Sequence, residues 1–280
     1  MTRFLVSSAI AMVIAVLAYQ ARALNLGGAL TAAILGSLIL GLGGPSWGVI
    51  LLSFFISASY LSSRFKHQKS SLNNYAAKGS QRDAGQVLAN GAVAGFFVLL
   101  FSLVGLLSSD SFLLPSLWIG FASSFAGANA DTWATELGWL NRRDPVLLRS
   151  FKRVPKGTSG GVSLVGSLAS LAGSSLVAGV AVLTQSLGWA PQISQPLGNV
   201  FLLITIGGLV GSLVDSALGA TLQVIYYCPQ CDQQTEKTPQ HSCGTQARYL
   251  RGVTWLNNDW VNVACTLSAG IAGMLLALFY

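Results

Sequence analysis

Long apolar runs separated by short polar segments dominate the chain. Eight runs approach the roughly 20 residues that a helix needs to cross the hydrocarbon core of a bilayer. Their approximate bounds are Phe4–Ala18, Leu24–Leu42, Trp47–Leu61, Val87–Leu107, Phe112–Asp131, Val162–Leu183, Asn199–Ile225 and Val261–Tyr280. The pattern predicts an all-α fold, a polytopic transmembrane helical bundle of about eight spans that forms a single integral-membrane domain over residues 1–280.

The first apolar run permits a second interpretation. Arg3 precedes it and the small-residue segment Ala21-Arg-Ala23 follows it, as around a secretory signal peptide. The apolar pattern resumes directly at Leu24, which favours a membrane helix instead.

The composition agrees with a membrane protein. Only 9% of the residues are charged and 52% are hydrophobic, whereas a soluble domain carries about 25% charged residues. The 31 glycines suit closely packed membrane helices, because small residues let helix backbones approach. The net charge of +7 could indicate nucleic-acid binding, but the basic residues follow the positive-inside rule, so we predict no nucleic-acid partner.

The basic residues also orient the bundle. Threaded through eight spans, every Lys and Arg except Arg3 falls on one side, which the positive-inside rule makes cytoplasmic or its organellar (stromal) equivalent. The first basic loop, Arg64–Gln86, carries Arg64, Lys66, Lys69, Lys78 and Arg82. The second basic loop, Asn141–Gly157, and a polar insert, Tyr226–Asp259, share that side.

Two aspartates lie within the apolar runs. A carboxylate in a membrane helix costs about 3 kcal/mol on insertion scales, so it is a functional candidate by default. Asp215 lies in a stripe of glycines that would otherwise be a helix-packing seam. Because Mg²⁺ prefers carboxylate oxygens and bridges phosphate oxygens, we predict that Asp131 and Asp215 act in catalysis as magnesium ligands. The structural alternative is an Asp131–arginine pair.

A glycine-rich segment, Lys156-Gly-Thr-Ser-Gly-Gly-Val-Ser163, follows the second basic loop. It is not a Walker A motif, because its lysine precedes the glycines. It still offers backbone N–H groups, hydroxyls and a helix start, the features that bind phosphate. We predict a catalytic Lys156 and phosphate-binding residues Gly157, Thr158, Ser159, Gly160 and Gly161. The alternative is a capped helix start with Thr158 or Ser159 as N-cap.

Further side-chain oxygens could complete a nucleotide and phosphate site. The candidates are Asn90, Asn129, Glu136, Asn258 and Asp259. Glu136 is about 140° around an ideal helix from Asp131, so the two would not easily hold one ion, and Glu136 is expected nearer the loop. For Asn258 and Asp259 a helix cap is an open alternative.

The polar insert contains a cluster of metal-binding residue types. Cys228 and Cys231 form a C-x-x-C turn, and His241 and Cys243 form an H-x-C turn ten residues later. Two such turns supply a closed tetrahedral ligand set, which predicts a structural Zn²⁺. A redox C-x-x-C is the alternative, although no thioredoxin-like βαβ pattern is present.

Five separated motifs make the chain resemble a known family. They are Gln86–Gly91, Ala130–Gly138, Gly157–Ser163, Asp215–Gln223 and Trp255–Asp259. With the Cys/His insert, they are similar to the integral-membrane family catalogued as domain of unknown function 92. Its plant member is a phytyl-phosphate kinase, which acts after phytol kinase in salvaging phytol for tocopherol and phylloquinone. The family is also distantly similar to the CTP-dependent polyprenol kinases and phosphatidate cytidylyltransferases.

The resemblance implies a phosphoryl-transferring enzyme that binds a lipid. The expected reaction moves a phosphoryl group from CTP or another nucleoside triphosphate to an isoprenyl monophosphate and gives phytyl diphosphate or a close relative. A CTP-dependent nucleotidyltransferase acting on a lipid phosphate would use the same parts. A transporter or lipid flippase is a third possibility, but it would need midplane polar sites and inverted repeats, which the sequence does not display.

Overall fold

The computed structural model describes residues 2–65 and 81–279. Eight α-helices account for most of these residues, as the apolar runs predict. Their bounds are α1 Thr2–Gln20, α2 Leu26–Leu38, α3 Pro45–Arg64, α4 Ala84–Leu107, α5 Leu113–Gly138, α6 Leu164–Ser186, α7 Leu197–Thr221 and α8 Asn258–Phe279. A π-helical turn, Ile39–Gly43, extends α2. The predicted loop bases Lys66, Lys69 and Lys78 lie outside the described residues.

Seven of the eight helices are long and apolar enough to cross a membrane by length and composition. The exception is α5, which has 26 residues but no stretch of 18 residues as apolar as those of the other helices. Every α5 residue from Ser116 to Ala130 is buried, because α3, α4, α6, α7 and α8 all pack against it. The prediction of an all-helical membrane bundle is confirmed, with α5 as its central helix.

The polar segments add short strands that the helical pattern does not predict. Strands β1 Val146–Leu147 and β2 Gly161–Val162 form an antiparallel pair in the loop between α5 and α6. In the insert after α7, strands β3 Ile225–Cys228, β4 Gln233–Thr235 and β5 Arg248–Arg251 form an antiparallel sheet in the order β4-β3-β5. The predicted seventh span therefore ends earlier, at Thr221, because Ile225 begins a strand.

The glycine stripe of α7 is a packing seam, as its spacing predicts. A Cβ at Gly208 would lie 2.2 Å from the Ser174 hydroxyl oxygen of α6. A Cβ at Gly211 would lie 2.6 Å from the Cys265 carbonyl oxygen of α8. Real side chains never approach so closely, so only glycine lets α7 contact both neighbours.

This seam predicts that Gly211→Val destabilises the bundle by about 1–3 kcal/mol, the usual cost of overpacking. The matched control is Gly198→Val on the same helix, where a Cβ would meet no atom within 4 Å. Thermal unfolding of the purified proteins in detergent should show a lower midpoint for Gly211→Val alone. Equal midpoints for the two variants would contradict the seam.

Candidate functional site

The structure brings the two membrane aspartates together. Asp131 on α5 and Asp215 on α7 lie within hydrogen-bonding distance of each other through their side chains. Glycines one turn earlier on both helices let α8 pack closely against α5 and α7 beside the pair. A Cβ at Gly127 would lie 2.7 Å from the Ala269 Cβ, and Gly211 is equally crowded by α8. Two residues that are 84 positions apart in sequence are therefore held as one carboxyl pair by three helices.

The carboxyl pair has no basic partner within the described ranges. Neither Asp131 nor Asp215 forms an ion pair there, and Oδ2 of Asp215 is buried with no hydrogen-bond partner. The alternative of a structural Asp131–arginine pair therefore has no support in this part of the chain. Two carboxylates in contact inside a low-dielectric bundle repel each other. A shared proton or a bound cation is needed to relieve that repulsion.

The glycine-rich segment is a turn followed by a strand, not a helix start. Gly157 and Gly160 have φ values of +89° and +78°, which favour glycine and prevent a helix from beginning here. Helix α6 begins only at Leu164, and its N-cap is Ser163, whose Oγ accepts a hydrogen bond from the Gly166 N–H at 3.1 Å. The alternative that Thr158 or Ser159 caps this helix is wrong, because strand β2 lies between these residues and α6.

The turn packs directly against the end of α7. A Cβ at Gly160 would lie 2.1 Å from the Ala220 nitrogen, so this contact requires glycine. Asp215 lies one turn before Gly219 on the same helix, which places the turn next to the carboxyl pair. Among the described residues, no acceptor takes the backbone N–H groups of Ser159 and Gly160. These two donors are available to an anion.

Two polar residues that the site predictions omit connect the turn to the insert. Ser159 Oγ donates a hydrogen bond to Gln223 Oε1, and Gln223 Nε2 donates to Glu236 Oε1 at 2.8 Å. Gln223 is only 1% exposed. Glu236 lies within electrostatic range of Asp215. Gln223 is the last residue of the motif Asp215–Gln223. Its partners Ser159 and Glu236 lie 64 and 13 positions away in sequence, so no local sequence pattern predicts these contacts.

Arg251 of β5 is a third residue that the sequence predictions omit. Its guanidinium donates to the carbonyl oxygens of Gly219, Ala220 and Thr221 at 3.0–3.3 Å, so it caps the negative end of α7. Burial lowers the pKa of Arg251, and the nearby charge of Arg149 lowers it further. Two like charges thus lie close together beside the glycine-rich turn, which favours the arrival of an anion.

Lys156 and Glu136 are each held by a neighbouring element. Lys156 Nζ donates to the Trp139 carbonyl oxygen at 3.0 Å, where a positive charge stabilises the C-terminal end of α5. Glu136 accepts a hydrogen bond from Ser62 Oγ of α3 at 3.0 Å. Asp131 instead contacts α7, so the expectation that Asp131 and Glu136 occupy different faces of their helix is confirmed.

The remaining candidates occupy different places. Asn129 is fully buried, its Oδ1 accepting from Ser57 Oγ and its Nδ2 donating to the Gly173 carbonyl oxygen, so its geometry favours a packing role between α3 and α6. Asn90 donates to the Gln86 carbonyl oxygen at 2.9 Å and lines an apolar cavity between α1 and α4.

The Asn258–Asp259 segment is the start of α8. The preceding residue, Asn257, is the cap: its Oδ1 accepts hydrogen bonds from the backbone N–H groups of Asp259 and Trp260 at 3.0 and 3.2 Å. Asn258 is the first helical residue, and Asp259 stands in the first turn, where a negative charge favours the helix. The geometry therefore supports the alternative interpretation from the sequence, in which this segment is a helix cap.

The four cysteine and histidine residues of the insert converge. One ligand atom from each of Cys228, Cys231, His241 and Cys243 lies within 4.8 Å of every other. The Cys228 and Cys243 sulfurs are 3.6 Å apart, close to the roughly 3.8 Å expected for two thiolates 2.3 Å from a tetrahedral zinc. Nδ1 of His241 lies 3.3 Å from the Cys243 sulfur. Nε2 of the same ring lies 3.1 Å from Nε2 of Gln233, which can fix the ring orientation. The group can hold a metal ion.

The thiols of this cluster are unequal. The pKa of Cys243 is lowered to about 5, first by a hydrogen bond with the Thr245 side chain and then by one with His241. The pKa of Cys231 is raised to about 11, first by its hydrogen bond with Cys243. Cys243 is therefore a thiolate at neutral pH, the form in which cysteine binds metals.

Comparison with known proteins identifies relatives along nearly the whole chain. The family described as Integral membrane protein DUF92 matches residues 9–270. Protein PGR of Arabidopsis thaliana is 33% identical over 277 residues, which cover 95% of this chain and 93% of that protein. An uncharacterized membrane protein of Methanocaldococcus jannaschii is 29% identical, with coverages of 98% and 94%. Protein VTE6, chloroplastic, of A. thaliana is 27% identical, with coverages of 84% and 60%. No solved structure matches the chain.

Proposed function

Because the chain belongs to the DUF92 family of integral membrane proteins, we propose that it is a membrane phosphotransferase for an isoprenyl monophosphate. It would use CTP or another nucleoside triphosphate as donor. The observation that carries this proposal is the Asp131–Asp215 carboxyl pair beside the glycine-rich turn Gly157–Gly161. A pair of acids for a divalent cation and free backbone donors for phosphate are the parts that phosphoryl transfer requires.

The acid pair fits magnesium. Carboxylate oxygens are the ligands that Mg²⁺ prefers, and Oδ2 of Asp215 is a buried acceptor without a hydrogen-bond partner among the described residues. When bound, magnesium would supply positive charge that neutralises part of the charge of the phosphates. Asp131 and Asp215 would hold it, and the Ser159 and Gly160 N–H groups would orient the donor phosphates.

The protein would form no covalent bond to the substrates in this reaction; it would position them and stabilise charge. An oxygen of the isoprenyl phosphate attacks the γ-phosphorus of the nucleotide, the bond from that phosphorus to the β-phosphate oxygen breaks, and the nucleoside diphosphate leaves. No strong general base is needed, because a phosphate monoester is already an anion. The Gln223–Glu236 link would keep the glycine-rich turn in place while charge develops on the transferred group.

The isoprenyl substrate is supported by the five motifs described above, which resemble a family whose plant member is a phytyl-phosphate kinase. The side of the membrane is supported by the charge distribution. The loop 141–157, with its arginines and lysines, immediately precedes the site. The positive-inside rule therefore favours a site on the cytoplasmic or stromal face.

The insert would hold a structural zinc ion. All four ligand positions would be filled by Cys228, Cys231, His241 and Cys243, which leaves no open position for chemistry. The closed site would stabilise the sheet that presents Glu236 and Arg251 to the end of α7. The metal would thus act on the reaction only through the positions of these two side chains.

The test of the proposed function is an assay of purified protein with Mg²⁺, labelled nucleotide and a panel of isoprenyl monophosphates. We expect an isoprenyl diphosphate and CDP (or the matching nucleoside diphosphate) in equal amounts. Release of pyrophosphate with a nucleotidyl-lipid product would instead establish the nucleotidyltransferase. Absence of any nucleotide turnover with every lipid of the panel would refute both.

A further inference from the structure

An apolar cavity lies between the first four helices and is separate from the carboxyl pair. Its walls come from α1, α2, α3 and α4, and Phe125 of α5 also lines it. Almost all of the lining side chains are aliphatic or aromatic. The polar exceptions are Arg82, Gln86 and Asn90, which recur every fourth residue along the approach to α4 and its first turns.

Arg82 is held rigidly at this cavity. Its N–H donates to the Ala23 carbonyl oxygen at 3.0 Å, and its own carbonyl oxygen accepts from the Asn25 N–H at 3.1 Å. A Cβ at Gly28 would lie 2.3 Å from that carbonyl oxygen, so a glycine is needed for the approach. The guanidinium carbon lies 5.4 Å and 5.8 Å from the ring centres of Phe54 and Phe55.

Donor groups of the Arg82 guanidinium lack acceptors in the part of the chain that the structure describes. Within residues 2–65 and 81–279, no side chain or carbonyl accepts a hydrogen bond from it and no carboxylate forms an ion pair with it. Burial lowers the pKa of Arg82 to about 10, and Glu136, which lies within electrostatic range, opposes that effect. A partly buried guanidinium without a hydrogen-bond acceptor among the described residues is unusual, because the loss of its hydration is not compensated by hydrogen bonds.

An apolar cavity with one cation that has no hydrogen-bond acceptor among the described residues matches an amphiphile with one anionic head. The guanidinium fork fits the oxygens of a phosphate, to which it can donate two parallel hydrogen bonds. We propose that the α1–α4 cavity binds the hydrocarbon chain of the isoprenyl monophosphate and that Arg82 binds its phosphate. This inference rests on the proposed function and adds the place and the recognition of its lipid substrate.

The position of Arg82 relative to α5 is consistent with transfer. Its electrostatic neighbour Glu136 and the acid Asp131 lie on the same helix, about 7.5 Å apart along its axis. Phe125, in the cavity wall, precedes Asp131 by six residues. The phosphate end of the cavity therefore lies at the same end of α5 as the carboxyl pair, while its apolar walls extend toward the membrane interior.

The test measures lipid binding without nucleotide, so it does not depend on turnover. The probe is geranylgeranyl monophosphate with a photoreactive diazirine near the end of its chain, added to the full-length protein in detergent. We expect cross-links on α1 or α3. Cross-links confined to α6, α7 and α8 would overturn the proposal.

Two matched pairs of variants sharpen the test. Ile14→Trp fills the cavity, whereas Val13→Trp adds the same bulk at a neighbouring α1 residue that is 58% exposed and outside the cavity. Arg82→Gln removes the phosphate contact, whereas Arg64→Gln removes another arginine that stacks on a phenylalanine ring but is exposed. We expect at least tenfold weaker binding for Ile14→Trp and about ten- to a hundredfold weaker binding for Arg82→Gln, with wild-type binding for both controls.

The uncharged isoprenyl alcohol separates the two parts of the site. Its binding should fall in Ile14→Trp but not in Arg82→Gln, because it has no phosphate. If Arg82→Gln unfolds, as its thermal midpoint without lipid will reveal, the Ile14→Trp and Val13→Trp pair still decides the matter, and equal binding by that pair refutes the cavity. Binding as expected without phosphoryl transfer would refute the kinase and leave the cavity standing. Phosphoryl transfer at the wild-type rate by Ile14→Trp would refute the cavity alone.

Discussion

Asp131→Asn and Asp215→Asn should each abolish phosphoryl transfer while leaving a folded protein in the membrane. If the two carboxylates jointly hold magnesium, losing either removes several kcal/mol of charge stabilisation in the transition state. Each 1.36 kcal/mol is a tenfold change in rate, so we expect at least about a thousandfold lower kcat. The measurement is the nucleotide assay, performed with and without added Mg²⁺.

The stability of the same preparations distinguishes a catalytic pair from a structural one. Asparagine relieves the repulsion between two buried carboxylates, so the thermal midpoint should stay or rise. Asp110→Asn is the matched control, since Asp110 is exposed in the loop between α4 and α5, and it should retain full activity. Asp131→Asn protein that is folded and turns over at a near-normal rate would end the assignment of a metal ligand.

Loss of zinc from the insert is the second large effect that we expect. The purified protein should contain one zinc per chain, and Cys231→Ser should remove it, since a structural site needs all four ligands. Zinc contributes about 10–16 kcal/mol to the folding of small zinc-binding peptides, so the insert should lose its order. Metal analysis and limited proteolysis of residues 226–259 measure the two consequences.

The activity of Cys231→Ser should fall about ten- to a hundredfold, because Glu236 and Arg251 would no longer be held against the end of α7. The control is Cys265→Ser, which changes the one cysteine outside the cluster and should keep the full zinc content. A wild-type protein without zinc, or a Cys231→Ser insert that resists protease as well as the wild type, would contradict the assignment.

The helical bundle and the pairing of its two acids could be anticipated from local patterns. Apolar runs of membrane-spanning length predict helices directly, because in a bilayer a single segment satisfies its backbone hydrogen bonds only as a helix. Asp215 was predicted to meet Asp131 because a carboxylate in a glycine seam has no packing rationale. The Cys228-x-x-Cys231 and His241-x-Cys243 turns were similarly informative, since metal ligand spacing is local.

The contacts that depend on tertiary structure could not be anticipated. Gln223 and Glu236 belong to segments without periodicity, and only the folding of the insert over α7 brings them to Ser159. The glycine-rich segment was expected to open a helix, but the positive φ values of Gly157 and Gly160 serve a turn. The sequence pattern places Arg82 only among the bases that set the topology, because its position at the α1–α4 cavity depends on the packing of four helices.

The complete enclosure of α5 bears on how the protein enters the membrane. A helix that carries two acids and buries every residue from Ser116 to Ala130 has no surface suited to lipid. Asp131 meets Asp215 only after α7, which is synthesised later, has packed against α5. The Asp131–Asp215 pair is thus completed only late in assembly, so incompletely assembled chains in the membrane would not carry it.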